Sequence, residues 1–228
     1  MEMIKIKVVS DEEFERNFWR FEPEEVVKKA SDICIKNFGV GLRISEKTNW
    51  QSPFVRSPGE IIPYLRGKTR EEMLGDLKNT ISYINEKDLK KLEEGLEKTK
   101  HPSAYLEGYL GASLFRILLD SLRIQIGKQE ILWALSGRVV ILRVFSKTGI
   151  YSDILGQAYS KRGIMIANLC SEPLYVFLHE LGHLFGAVHK ERTVMEEKLT
   201  ARYLNFDRRN RRVISKNFKK FFETKSPD

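Results

Sequence analysis

The chain has 228 residues, 42% of them hydrophobic and 31% charged, a net charge of +8 and two cysteines, Cys34 and Cys170. That length can bury one sizeable core or two lobes around a cleft, and two cysteines are too few for a disulfide scaffold, so a reduced chain is expected. The opening MEMIKIKVVSDEEF has no uninterrupted apolar block, and no segment approaches the roughly eighteen apolar residues of a membrane span. Neither export nor a membrane partner is predicted, and the expected location is the cytoplasm.

Ile4, Ile6 and Val8 alternate with polar residues, which predicts a strand with one buried face. Pro23 then opens a helix whose Val26, Val27, Ala30, Ile33, Cys34 and Phe38 make one apolar face, ended by Gly39 and Gly41. Cys34 is read as core. Leu42 and Ile44 alternate again before WQSPFVRSPGEIIPYLRG, a Pro/Gly-rich irregular loop. Thr69 and Glu72 suit a capping box ahead of a stripe of Met73, Leu77, Ile81 and Ile84. Leu89, Leu92 and Leu96 predict a second helix and Tyr105 to Ile124 a third, with His101 in a surface turn between them. Together these form a helical insertion over about 53–135, serving either as a lid or as extra packing. RVVILRVF, 138–145, is a near-continuous β-branched run and reads as a strand covered on both faces. ILGQAY and GIMIAN, flanking SKRG, read as a hairpin. The expected fold class is therefore α+β: a mixed, mostly parallel twisted sheet of about five strands with an antiparallel edge strand, backed by helices.

Ser171 or Glu172 can cap the next helix, Pro173 suits its first turn, and Leu174, Phe177, Leu178, Leu181 and Phe185 form its core face. This helix carries HELGHLFGAVH, which holds three of the chain's four histidines. With this chain's residue frequencies such a pattern arises by chance on the order of once in 10⁵ sequences. His179 and His183 lie about one helical turn apart, so their rings stack on one face and can share a metal ion. Gly186 lacks a Cβ and can break the helix, which would swing His189 back toward the same ion. Three histidine ligands leave a fourth position open, as in a catalytic zinc site. Glu180 is placed to act as general base, taking a proton from water and returning it to a leaving amine. Cys170 precedes His179 by nine residues, roughly 13 Å along a helix, too far to be a ligand.

His179, Glu180, His183, Gly186 and His189 match in full the long motif of the metzincin clan of zinc metallopeptidases, which this chain resembles. The resemblance implies one zinc ion, a methionine turn supplied by Met195 in TVMEE, and a peptide or protein substrate. That substrate would lie extended along an edge strand matching Gly156, Gln157, Ala158 and Tyr159; the other reading of those residues is an ordinary hairpin. It also implies a catalytic subdomain over 1–189 and a small helical lower subdomain over 190–228. Archaemetzincins are similar in their hairpin, but no cysteine follows Cys170 to bind their second zinc. Glu197 stands where astacins and serralysins have a tyrosine ligand. The expected activity is metalloendopeptidase; the alternative is a catalytically silent zinc protein of the same fold.

The segment DRRNRRVISKNFKKFF allows two readings. Ile214, Phe218, Phe221 and Phe222 fall at helical spacing, so the basic residues form the solvated face of an amphipathic helix, or that face binds nucleic acid. No nucleic-acid signature accompanies it, so no specific nucleic-acid partner is expected, and no oligomeric state is encoded.

Overall fold

A computed structural model describes residues 1–16, 21–50, 69, 71–72, 75, 86–99, 126–136, 141–145, 151–154, 156–159, 163–167, 172–196 and 203–223. The irregular loop at 51–68, the stripe from Met73 to Ile84, the helix from Tyr105 to Ile124, His101 and Cys170 lie outside the described residues.

The architecture is α+β. Strands β1 (Glu2–Asp11), β2 (Val40–Trp50), β3 (Glu130–Ser136), β6 (Gly156–Tyr159) and β7 (Gly163–Ala167) form one sheet in the order β2-β1-β3-β7-β6. The first four of these neighbours run parallel, and β6 alone is antiparallel, at the edge beside β7. Strands β4 (Ile141–Phe145) and β5 (Tyr151–Ile154) make a separate antiparallel pair. The described helices are α1 (Glu12–Arg16), α2 (Pro23–Phe38), α3 (Glu86–Lys98), α4 (Pro173–Leu184) and α5 (Arg208–Glu223). Among the described residues no helix is long and apolar enough to cross a membrane.

Local chemistry sets the element ends. Asp11 accepts the Phe14 backbone N–H at 2.8 Å, which starts α1 as β1 ends. Pro23 opens α2, and Gly39 closes it in the left-handed region at φ 72°, its N–H bonding to the Ile35 carbonyl. Thr69 and Glu72 form the reciprocal pair of a capping box, at 2.7 and 3.3 Å.

The core lies between the sheet and the α2/α4 layer: Ile4, Ile6 and Val8 of β1 and Ile131, Trp133 and Leu135 of β3 meet Val27, Ala30 and Cys34 of α2 and Phe177, Leu178 and Leu181 of α4. Burial pushes the Cys34 thiol up to about 12, so it is inert core.

The sequence and the structure differ over the covered strand. The 138–145 run, expected to fill that role, supplies β4 of the separate pair. The covered strand is instead β3, at the end of the block expected to be helical. Its Leu132 and Ala134 are as fully buried as Ile131, Trp133 and Leu135, so both faces are covered. A central parallel strand has no solvent face, so EILWALS shows no alternation, and an unbroken apolar run looks the same in a helix.

Candidate metal centre

Helix α4 is buried almost throughout, because the sheet lies under one side and the chain after His189 folds back against the other. Gly182 makes that second approach possible: a Cβ there would stand 2.5 Å from the Met195 sulfur and 3.2 Å from Phe206. Met195 is fully buried at this contact. It sits in a tight turn in which Thr193 Oγ1 donates to the Lys190 carbonyl and accepts the Met195 N–H.

Two residues past the end of α4, Gly186 takes φ +82°, a conformation that strains any residue with a Cβ. The bend returns the chain, and the three imidazoles of His179, His183 and His189 converge with ligand atoms all within 4.8 Å of one another. The Nε2 atoms of His179 and His183 are 3.0 Å apart, as are those of His183 and His189. His179 is buried, His183 half-buried and His189 exposed, so the cluster opens to solvent on the His189 side.

Two backbone carbonyls decide the proton positions. His179 Nδ1 lies 2.8 Å from the Val194 carbonyl and His183 Nδ1 3.0 Å from that of Ala187. A carbonyl only accepts, so both Nδ1 atoms carry the proton and both Nε2 atoms present lone pairs. Burial, reinforced by the charge of His183, pushes His179 down to about 4, and burial also lowers His183, so neither becomes an imidazolium near neutrality. Two lone pairs facing each other at 3.0 Å repel. A metal ion held between the nitrogens would resolve that repulsion. The three imidazoles, with the Val194 and Ala187 carbonyls bonded to two of them, fit a metal ion.

Glu180, one residue beyond the first histidine, turns toward the sheet edge, where its carboxylate accepts the Ala158 backbone N–H of β6. Burial pushes this carboxyl up to about 8 despite that bond. The approach requires Gly156: a Cβ there would lie 2.4 Å from Val176 and 3.0 Å from the Glu180 Cγ. Gly156 and Ala158 thus sit against the helix. The side chains of Gln157 and Tyr159 lie outside what is described.

No protein-family model matches the chain, and no curated protein matches it. Among solved structures, it is similar to a chain from "Structure of a chaperone-substrate complex", with a TM-score of 0.36 and 14% identity, over 84% of this chain and 24% of that one. The present chain therefore spans about a quarter of the length of that solved chain.

Several groups around the cluster carry no sequence signal. Asn210 of α5 accepts the Val188 N–H at 3.0 Å and donates to the Val188 carbonyl at 2.9 Å. Asn217 donates to the Phe185 carbonyl at 2.9 Å, closing the end of α4. Tyr175 stacks on the His179 ring, with centroids 6.0 Å apart, and its hydroxyl donates to the Glu196 carbonyl. Only the docking of α5 and the return of the chain bring these groups to the site, and neither is written in a local motif.

Proposed function

We propose that this chain is a single-zinc metalloendopeptidase similar to the metzincins. The observation that carries the reading is the convergence of three Nε2 lone pairs, two of them fixed by backbone carbonyls, with a buried carboxylate following the first ligand on the same helix. Nitrogen donors at these separations suit zinc, and three protein ligands leave a coordination position free. When bound, zinc supplies Lewis acidity, polarising a carbonyl and making water nucleophilic near neutral pH.

The remaining chemistry belongs to the chain. His179, His183 and His189 hold the ion, the Val194 and Ala187 carbonyls keep two of the rings in the ligating tautomer, and Met195 supports the helix from below. Glu180 takes a proton at its carboxylate oxygens and delivers it to the departing amine. Strand β6 is the terminal strand of the sheet, and an extended peptide adds to such an edge through main-chain hydrogen bonds. With Ala158 bonded to Glu180, peptide alignment and proton transfer share one strand.

The test is metal analysis paired with cleavage of an unfolded protein. Wild type should carry close to one zinc per chain and cleave. Glu180→Gln should keep the metal and lose about 10²- to 10⁴-fold in rate, the usual contribution of a general base. Equal inertness of the two proteins with zinc tightly held would leave a silent metal-binding protein in place of the peptidase.

A further inference from the structure

Helix α5 has two faces with different work. Its inner face is locked into the fold: Ile214 and Phe218 are buried, Phe218 meets the rings of Phe38 and Phe185, and Asn210 and Asn217 bond to the chain around the metal cluster. Its outer face lines an open groove of about 520 Å³ with Arg208, Arg211, Arg212, Lys216 and Lys219, closed on the other side by Asn37 at the end of α2. Among the described residues no carboxylate lines this groove and none of its five cations has an ion-pair partner. By contrast, Lys7, Arg16, Lys29 and Lys47 each reach a glutamate. Asp207, the acidic residue at the start of α5, is turned inward to bond the Arg209 and Asn210 backbone N–H groups and the Asn210 side chain.

We propose that this groove is a sequence-independent docking site for the phosphodiester backbone of a nucleic acid. Arg208, Arg212, Lys216 and Lys219 follow one another at intervals of three or four residues, which sets about one positive charge per helical turn along some 16 Å. A polymer with regularly spaced anions matches that row, and 16 Å covers about five phosphates of one duplex strand. The three arginines present planar forks that bind phosphate oxygens in pairs. A lipid surface fits less well. A helix lying in a membrane interface must release its apolar face into the acyl boundary, and here that face already packs against Phe38 and Phe185. The lining cations suit phosphate oxygens, so affinity comes from charge and counterion release.

The 228-residue chain is titrated into a labelled DNA duplex of mixed sequence at several salt concentrations, with anisotropy as readout. Binding should weaken with a log–log salt slope of about −4, the value for four or five phosphate contacts. Changing Arg208, Arg212 and Lys216 together to Gln should weaken binding at least tenfold and flatten the slope toward −1. A matched control, Lys87→Gln/Lys90→Gln/Lys91→Gln on α3, should bind as wild type does. Metal content and thermal unfolding of both variants show that the fold and the imidazole cluster persist. Equal losses in the two variants would overturn the proposal, because net charge alone would then explain binding. Tighter binding to anionic phospholipid vesicles or to polyglutamate than to the duplex would overturn it as well, assigning the groove to a lipid surface or an acidic protein.

Discussion

Asn210 holds both backbone polar groups of Val188, the residue immediately before the third histidine. The clamp is itself clamped: Asn210 is 2% exposed and its amide nitrogen donates to Asp207 at 2.6 Å. Buried amides with all partners in place resist rotation, so the direction of His189 is set from a helix that supplies no ligand.

Asn210→Ala leaves the Val188 N–H and carbonyl without these partners and frees the peptide that carries His189. Outer contacts of this kind change metal affinity by about 10- to 100-fold. We expect zinc affinity to fall within that range, measured by competition with a chromophoric chelator. The visible spectrum of the cobalt-substituted protein should also change, which a loss of stability alone would not produce.

Gly182 and Met195 are expected to be energetically coupled. Gly182→Ala pushes a methyl group into the Met195 sulfur and should destabilise by about 1–3 kcal/mol. Met195→Ala should cost about 2–5 kcal/mol through the cavity it leaves. Together the changes should cost less than their sum, because the new methyl enters the space the sulfur vacated. Urea unfolding of the four proteins measures this, and strict additivity would show that the two residues do not press on each other.

Gly156→Ala tests the seam between the edge strand and the helix. Its Cβ meets Val176 and Glu180, so β6 must move away from α4. We expect a loss of about 1–3 kcal/mol in stability. Peptide cleavage should fall by more than tenfold with zinc content unchanged, since the Ala158 N–H then leaves the carboxylate. Unaltered cleavage would separate the strand from proton transfer.

In protein stripped of metal, three groups at the cluster tie stability to pH. His179 titrates near 4 when folded against 6.5 when free, and His183 is shifted in the same direction, so the unfolded chain binds the extra protons and stability drops as the pH falls below 6.5. Glu180 acts in the opposite sense: held near 8 when folded against 4.5 when free, it keeps a proton that the unfolded chain has lost, so stability drops as the pH rises from 4.5 to 8. Below 6.5 the histidines oppose Glu180, and above it Glu180 acts alone. Stability should therefore decline by about 2 kcal/mol from pH 6.5 to pH 8. Glu180→Gln should retain the acid limb and lose the decline, as read from urea unfolding in the presence of chelator.

How much of this was legible beforehand depends on whether a residue's signal is local. The histidine spacing, the glycine that bends the chain, the Gly39 stop and the Thr69/Glu72 box are short-range patterns with one geometrical solution each, and they appear in the structure where the sequence puts them. The β6–β7 hairpin was readable for the same reason, with turn residues between two apolar runs. Strand β3 was not, because burial on both faces removes the period that distinguishes a strand. Asn210 illustrates a deeper limit. An asparagine among arginines looks like one more solvated residue, and its role follows only from docking α5 beside a loop 22 positions earlier in the chain.

That docking imposes an order on biosynthesis. The histidines are synthesised before Asn210 and Asn217, and until those amides arrive the Val188 peptide next to His189 lacks the side chain that holds both its polar groups. Between those two points a nascent chain has its three imidazoles but not the clamp that aims the last of them, so metal capture would be a late maturation event that follows the docking of α5.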